Sequence, residues 1–344
     1  MADGGSLPPT PPAARTLGPR IIAAALVVGV GVLVGVLLGP AFGGRTAAGA
    51  GSTSRPNATE SPDEFENSSV PPNRAQALGD VRQLRMRVGG VNRTALVYRP
   101  PTARTGAPVF VAVHGFTSSA QAIVRHTSFV DLAERNGWIV AFPQGIRYAD
   151  GQRAWNAGTC CGGAPTADTP DTTFIVELAH YVVDAYHANP KQLFYEGHSN
   201  GAMLGYRIAC SANQPFAGFA LLSGTLVSPC RSTSKVPILA MHGLQDGTVP
   251  FAGSRWRVSL QTRLEPVTET LDTVAALNGC HGALASRSPA AAEVRVFTST
   301  CPRTATVALV TIRDMQHQWT ESADRYGIDE TRYSTTWLFE HTTA

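Results

Sequence analysis

The chain has 344 residues and a nearly balanced charge, with 28 Lys and Arg against 25 Asp and Glu. This length allows one large domain or two small ones with a sizeable hydrophobic core. The formal net charge of +3 is spread without a basic block, which argues against nucleic acid as a partner.

The N-terminal part of the chain predicts an export signal or a membrane anchor. Residues 1–20 are rich in Pro, Gly and Ala and are predicted to be a disordered cytoplasmic tail. Residues 21–39 are an uninterrupted apolar run, long enough as a helix to span a hydrocarbon core of roughly 30 Å. Arg15 and Arg20 precede the run and favour an N-terminus inside the cell. The alternative is a cleaved signal peptide, and both interpretations export the rest of the chain.

Residues 40–77 are poor in aromatic residues and rich in Gly, Ala, Ser, Thr and Pro. Such a stretch cannot bury enough apolar surface to offset its conformational entropy. We therefore predict a disordered linker here, followed by one catalytic domain over residues 78–344.

The domain shows the element pattern of an α/β fold. Two β-runs, 81–88 and 93–98, flank Gly89-Gly90 and predict an antiparallel hairpin. Strands and helices then alternate, which predicts a mostly parallel sheet with helices on both faces. The strands are predicted at 109–113, 138–142, 192–196, 216–222, 237–241 and 307–312. The helices are predicted at 120–136, 172–187, 199–210, 267–277 and 330–341.

A Gly-x-Ser-x-Gly motif, residues 197–201, lies between a predicted strand and a predicted helix. In that context the two glycines permit a sharp turn that exposes the Ser199 hydroxyl, so Ser199 is the predicted nucleophile. A serine nucleophile needs a base and an acid, which follow it along the chain in the order Asp, then His, in hydrolases of this kind. Asp246 and His317 follow later predicted strands in that order. The other histidines after Asp246, at 281 and 341, are weaker candidates for the base.

The same pattern predicts an oxyanion hole and an acyl-binding wall. The hole combines the amide after the nucleophile with one from the loop that follows strand 109–113, which assigns the backbone N–H groups of Asn200 and Phe116. Trp155 and Trp319 are candidates for the wall that contacts substrate. Core packing is the alternative role for either tryptophan.

All six cysteines lie in the exported part of the chain, at positions 160, 161, 210, 230, 280 and 301. An even number in an oxidising compartment predicts disulfides rather than a zinc site, for which the spacing is wrong. Cys280 and Cys301 are the favoured pair, within a loop-rich insert. Cys160 and Cys161 are adjacent, so each is expected to find a distant partner.

Six motifs in chain order carry a resemblance to a known family. They are His114-Gly-Phe, Trp155-Asn156, Cys160-Cys161-Gly162, Gly-His-Ser199-Asn-Gly, His242-Gly-Leu-Gln-Asp246 and His317-Gln-Trp319. Together they resemble the polyhydroxybutyrate-depolymerase-like and feruloyl esterases of carbohydrate esterase family 1. The resemblance implies an α/β-hydrolase fold and secreted carboxylic-ester hydrolysis with Ser199, Asp246 and His317 as the triad.

Two departures from that family fall in loops that shape the site. An Asp-Asp-Val-x-Phe run is usual after the double cysteine, whereas residues 168–171 here separate the two acids with Thr-Pro. Met315 stands where the family prefers glycine, two residues before the catalytic histidine.

The predicted function is ester hydrolysis through an acyl-enzyme, without a metal or an organic cofactor. Its substrate is a small-molecule or cell-envelope ester. The alternatives are a cell-envelope acyltransferase of the mycolyltransferase type, an inactive hydrolase-like binding module, and a serine peptidase on the same triad.

Overall fold

The computed structural model of the protein describes residues 80–211, 213–257, 260–286, 294–320 and 323–342. Within these ranges the strands are β1 (Arg82–Val88), β2 (Val91–Tyr98), β3 (Val109–Val113), β4 (Ile139–Gln144), β5 (Ile146–Arg147), β6 (Arg153–Ala154), β7 (Leu193–His198), β8 (Gly218–Leu222), β9 (Ile238–Gly243), β10 (Ser254–Arg257), β11 (Thr262–Leu264), β12 (His281–Ser286), β13 (Val294–Thr300) and β14 (Val307–Ile312). The helices are α1 (Ala120–His126), α2 (Phe129–Asn136), α3 (Asp171–Tyr186), α4 (Asn200–Ala209), α5 (Val267–Asn278), α6 (Ala323–Tyr326) and α7 (Glu330–Thr342), with a 3₁₀ turn at Arg303–Ala305.

One large sheet organises the domain, with the strand order β1-β2-β4-β3-β7-β8-β9-β14-β13-β12. Its central strands, from β4 to β14, run parallel. Antiparallel strands flank them at both edges. Strand β3 is buried along its whole length, as expected of a strand that is covered on both faces. The predicted α/β architecture is confirmed.

Helices cover both faces of this sheet. The hydrophobic core therefore has two halves, one on each face of the sheet. Helices α3, α4 and α5 contribute apolar side chains to one half, which includes Phe174, Leu204 and Leu271. Helices α1, α2 and α7 contribute to the other half, which includes Phe129 and Leu338. The carboxyl ends of the parallel strands remain open for the loops that carry polar side chains.

The helix predicted over 120–136 is two helices. Thr127 has an extended backbone (φ −135°, ψ 159°) and ends α1. Its hydroxyl donates to the carbonyl oxygen of Ile123 at 2.7 Å. Thr and Ser side chains compete with the helical backbone for hydrogen bonds, so a Thr127-Ser128 pair is a natural place for the break.

The described residues between Cys280 and Cys301, 281–286 and 294–300, form strands where a loop-rich insert is predicted. Strands β12 and β13 pair antiparallel, and β13 pairs with β14, so the segment extends the large sheet. The run Val294-Arg-Val-Phe-Thr has the alternating pattern of a strand, which the prediction overlooked. The favoured disulfide, Cys280–Cys301, is confirmed and joins the two ends of this hairpin.

The prediction of distant partners for Cys160 and Cys161 is wrong, because these two residues are bonded to each other. The peptide bond between them is cis, and their Cα atoms lie 3.2 Å apart. Cys210 pairs with Cys230, so no other cysteine is left for the adjacent pair. All six cysteines are therefore in disulfides.

A buried ion pair connects β2 to the start of α3. Arg93 Nη2 lies 2.6 Å from Asp171 Oδ1, and neither side chain is exposed. The guanidinium carbon of Arg93 is 4.1 Å from the ring centroid of Phe174. The second oxygen of Asp171 accepts the backbone N–H of Asn156 at 2.7 Å. Asp171, the second of the two acids that Thr-Pro separates, is thus the one that forms this ion pair.

The predicted tail (1–20), apolar segment (21–39) and linker (40–77) lie outside the described residues. Among the helices within the described ranges, none has both the length and the hydropathy that a membrane crossing requires.

Candidate active site

Ser199 occupies the sharp turn between β7 and α4. Its backbone has φ 56° and ψ −121°, a region that side-chain-bearing residues rarely adopt. The glycines on either side permit this turn, because a Cβ on Gly197 would lie 2.6 Å from the Gly201 carbonyl oxygen. A Cβ on Gly201 would lie 2.5 Å from the carbonyl oxygen of Val113 at the end of β3. The motif therefore holds the serine close to the loop that follows β3.

The structure brings Ser199, His317 and Asp246 into one hydrogen-bonded chain. His317 Nε2 is 2.8 Å from Ser199 Oγ, and His317 Nδ1 is 2.7 Å from Asp246 Oδ2. In the tautomer that satisfies both contacts, the serine hydroxyl donates to Nε2 and Nδ1–H donates to the carboxylate. Each residue follows a parallel strand, Ser199 after β7, Asp246 after β9 and His317 after β14. The three loops meet because those strands end at the same edge of the sheet.

Hydrogen bonds keep the Asp246 carboxylate ionised in a buried position. Its Oδ1 accepts the backbone N–H groups of Thr248 at 2.9 Å and Val249 at 2.8 Å. Burial alone would raise the pKa of Asp246, but the bonds from His242 and His317 and from the Val249 amide outweigh it. They hold the pKa well below its usual range.

His242 is a residue of this site to which the sequence reasoning gave no role. Its Nε2 lies 2.8 Å from the Val249 carbonyl oxygen and 3.4 Å from Asp246 Oδ2. The ring thus ties the loop that carries Asp246 to the end of β9. Its place four residues before Asp246 in a His-Gly-x-x-Asp run was the available signal.

The side chain of His198, the residue before Ser199, packs against His317. Its ring centroid lies 5.0 Å from that of His317 and 6.0 Å from that of Trp319. Burial, and then the charge of His317, lower the pKa of His198 to about 3. His198 is therefore neutral near pH 7, and its ring packs against that of His317.

Two backbone amides that were predicted to form an oxyanion hole come from segments in close contact. Asn200 is the first residue of α4, where an N–H group has no acceptor within its own helix. Phe116 belongs to the loop after β3. Gly115 of this loop lies so near the nucleophile that an added Cβ would be 3.1 Å from Ser199 Cβ.

His114 shapes that loop as a neutral, fully buried side chain. Burial lowers its pKa to about 4, against the bond to the Gly115 carbonyl. Its Nδ1 lies 2.7 Å from the carbonyl oxygen of Gly115, and its Nε2 accepts the Gly145 N–H at 2.9 Å. These two contacts require the tautomer with the proton on Nδ1.

The two tryptophans have different surroundings. Trp155 has no exposed surface, so its predicted role as a substrate wall is wrong and its ring belongs to the core. Trp319 is half-buried, and its Nε1 donates to Thr331 Oγ1 at 3.0 Å. Its ring lies 6.0 Å from that of Phe129. Contact of Trp319 with substrate stays a prediction.

Within the described ranges, no group of three or more His, Cys, Asp or Glu side chains is arranged to hold a metal ion.

Two buried carboxyl groups lie behind the site, between β7 and α7. Ser334 Oγ is 2.8 Å from Glu196 Oε2 and 3.1 Å from the Thr331 carbonyl oxygen. In the first contact the Ser334 hydroxyl donates to the Glu196 carboxyl group. Burial raises the pKa of Glu196 well above its ordinary value, although the bond from Ser334 acts in the opposite direction.

Glu330 makes the stability of the fold dependent on pH. Burial raises the pKa of Glu330 to about 8. The hydrogen bond from the Thr320 N–H lowers this pKa, and the negative charge of Asp329 raises it. The folded-state pKa exceeds the unfolded one, so the contribution to stability is complete below about pH 4 and is lost as the pH rises towards 8. In Glu330→Gln we expect the unfolding free energy to fall less steeply between pH 5 and 8, by up to about 1.4 kcal/mol per pH unit. Urea unfolding at several pH values measures this slope.

The matched control is Glu340→Gln, because Glu340 is an exposed acid on the same helix. Its pH dependence should follow that of the unmodified protein. Parallel curves for Glu330→Gln and the unmodified protein would contradict a buried neutral Glu330.

The chain is similar in sequence to known esterases. Residues 93–254 match the family described as Esterase PHB depolymerase. This segment contains Ser199 and Asp246, whereas His317 lies beyond it. The putative esterase NocK of Nocardia uniformis subsp. tsuyamanensis is 30% identical over 240 residues, which cover 64% of this chain and 67% of NocK.

Acetylxylan esterase A of Talaromyces purpureogenus is 29% identical over 133 residues, which cover 37% of this chain and 32% of that protein. The chain thus spans about a third of the length of this relative. Among solved structures, the acetyl xylan esterase from Aspergillus awamori aligns with a TM-score of 0.54 at 16% identity. The alignment covers 75% of this chain and 99% of that one, which shows a shared fold.

Proposed function

The chain belongs to the esterase PHB depolymerase family and is a serine esterase, and on this premise we propose that Ser199, His317 and Asp246 hydrolyse a carboxylic ester through an acyl-enzyme. The observation that carries the proposal is the continuous hydrogen-bonded chain from the Ser199 hydroxyl through the His317 imidazole to the Asp246 carboxylate.

In the first half of the reaction, Ser199 Oγ attacks the ester carbonyl while His317 Nε2 takes its proton. The 2.8 Å separation of these atoms is within the range for direct proton transfer. Asp246 holds the imidazole in the tautomer that leaves Nε2 free to accept, and it stabilises the imidazolium that forms. The low pKa of Asp246 keeps its charge in place for this purpose.

The backbone N–H groups of Asn200 and Phe116 bind the oxyanion of the tetrahedral intermediate. One such donor increases the rate about 10²–10³-fold, because the protein holds the N–H group already oriented towards the oxyanion, whereas water molecules would have to reorient. His317 then protonates the leaving alcohol. Water repeats the sequence on the acyl-enzyme and releases the acid, so hydrolysis needs no metal or organic cofactor.

The substrate class follows from the relatives and from the open edge of the sheet. A relative named acetylxylan esterase supports an ester of a small acyl group with a sugar hydroxyl. Trp319, half-buried beside His198, would contact the acyl group. The ester would come from the surroundings of the cell or from its envelope.

We also propose that the enzyme works outside the cytoplasm. All six cysteines are paired, which is typical of proteins that fold in an oxidising compartment. The apolar segment 21–39 would serve as a single-pass anchor or a cleaved signal, and residues 40–77 would connect it to a catalytic domain over 78–344.

Product analysis separates hydrolysis from acyl transfer. Purified full-length protein is incubated with p-nitrophenyl acetate, methyl ferulate, acetylated xylo-oligosaccharides and hydroxybutyrate oligomers, each with and without added trehalose. We expect free acid as the product, with the largest kcat/KM on the acetylated saccharides. Recovery of the acyl group on trehalose would identify a transferase, and the absence of any ester turnover would refute the proposed function.

A further inference from the structure

Trp155 contacts both segments that carry the proposed oxyanion amides. Its backbone N–H donates to Asn200 Oδ1 at 2.7 Å, and its carbonyl oxygen accepts from Asn200 Nδ2 at 3.1 Å. Its indole Nε1–H donates to the carbonyl oxygen of His114 at 2.8 Å. One buried residue thus bridges the amide after the nucleophile and the loop after β3.

We propose that Trp155 is a positioning residue that sets the width of the oxyanion hole by holding the Asn200 and Phe116 amides at a constant separation. This inference rests on the proposed function, since it assigns the geometry of that same site. Trp155 acts through its neighbours and touches no substrate, because none of its surface is exposed.

On the side of the nucleophile, the planar side-chain amide of Asn200 makes a pair of hydrogen bonds to one residue. Two bonds in one plane restrict the rotation of that side chain, which is itself fully buried. The backbone of Asn200 is therefore held as part of the start of α4. The two bonds tie the start of α4 to the backbone of Trp155.

On the side of the loop, the segment around Trp155 binds both ends of a four-residue stretch. The carbonyl of His114 accepts the indole N–H at one end, and the Thr117 N–H donates to the Arg153 carbonyl at 2.8 Å at the other. Phe116 lies between these two contacts. Its amide is therefore held relative to residues 153–155, the same segment that holds Asn200.

The ring of Trp155 is packed against other buried side chains. Its ring stacks on Phe174 with centroids 6.5 Å apart and lies 4.9 Å from the ring of His114. The guanidinium of Arg93, itself paired with Asp171, is 5.8 Å from the indole centroid. A side chain that is closely packed on all sides has little freedom to move, and the groups hydrogen-bonded to it are held in place.

The variant Trp155→Phe removes the indole N–H and keeps a buried ring. We expect kcat for p-nitrophenyl acetate to fall about 10- to 100-fold, less than the loss of a whole oxyanion donor, with KM within twofold. The inhibition constant of an aryl trifluoromethyl ketone, which forms an oxyanion adduct with a serine nucleophile, should rise by the same factor as kcat/KM falls.

Trp138→Phe is the matched control. Trp138 is a buried tryptophan just before β4, at the end of that strand opposite the site. The control measures the cost of the same substitution in the core, and its kcat per folded molecule should equal that of the unmodified enzyme.

A second variant keeps the test decisive if Trp155→Phe does not fold. Asn200→Leu retains the backbone amide and a side chain of similar size but loses both bonds to Trp155. It should show the same fall in kcat at unchanged KM, and in the double variant the two losses should be less than multiplicative.

An unaltered kcat and ketone affinity in either folded single variant would overturn the positioning role. That result, with full activity in the unmodified enzyme, would leave the proposed function intact, whereas an inactive unmodified enzyme would refute the function itself.

Discussion

Replacing Ser199 with alanine should lower kcat for ester hydrolysis by about 10⁵–10⁶ while the melting temperature stays within a few degrees of the unmodified protein. The variant loses the only atom that attacks the carbonyl, and His317 then has no hydroxyl proton to accept. Alanine meets the same backbone at φ 56° as serine does, so the turn carries no additional strain. Initial rates with p-nitrophenyl acetate and a thermal melt on the same preparation provide both measurements.

Ser223→Ala is the matched control for this prediction. Ser223 is a buried serine with φ 52° directly after β8, the strand next to β7, so it shares the burial and the backbone of Ser199. It lies outside the proposed triad, and its substitution should change kcat less than twofold. Activity within tenfold of the unmodified enzyme in Ser199→Ala would show that another residue is the nucleophile.

Removal of the Arg93 charge should have the largest effect on stability. Arg93→Met leaves Asp171 buried without its ion-pair partner, which costs about 3–5 kcal/mol when such a pair is broken. Burial raises the pKa of Asp171 although the charge of Arg93 lowers it, so the loss of Arg93 would further destabilise the ionised carboxylate. We expect a loss of this size in urea unfolding at pH 7 and a decrease in melting temperature on the order of 10 °C.

The double variant Arg93→Met/Asp171→Asn tests the cause of that loss. It leaves no buried charge, and the asparagine can still accept the Asn156 N–H through its side-chain oxygen. Because a buried ion pair contributes little as a whole, the double variant should regain much of the stability that the single variant loses. A single variant within about 1 kcal/mol of the unmodified protein would contradict a buried, paired carboxylate at this position.

The sequence predicts much of this site because its signals are local and ordered. Ser199 lies in a five-residue motif between a strand and a helix, and Asp246 and His317 follow later strands. Parallel strands of one sheet bring such positions together whatever the intervening loops do. The structure places His317 within hydrogen-bonding distance of both Ser199 and Asp246.

Two of the errors, at Trp155 and at the adjacent cysteines, have a common physical origin in tertiary contacts. Trp155 follows the short strand β6, and its burial depends on tertiary packing against Phe174 and His114. Cys160 and Cys161 were expected to pair elsewhere, but the partners available to a cysteine depend on where the other cysteines lie. The break at Thr127 is a local feature that the apolar periodicity on either side concealed.

The register of β7, β9 and β14 sets the positions of the proposed triad, so the proposed reactive centre depends on the large sheet. The large sheet sets the positions of these three residues, whereas the strand pairs β5-β6 and β10-β11 lie outside its strand order. Such a division makes the protein a suitable scaffold for laboratory evolution. Libraries confined to residues 146–154 and 254–257 would test whether acyl and alcohol preference can change while Ser199, Asp246 and His317 stay in place.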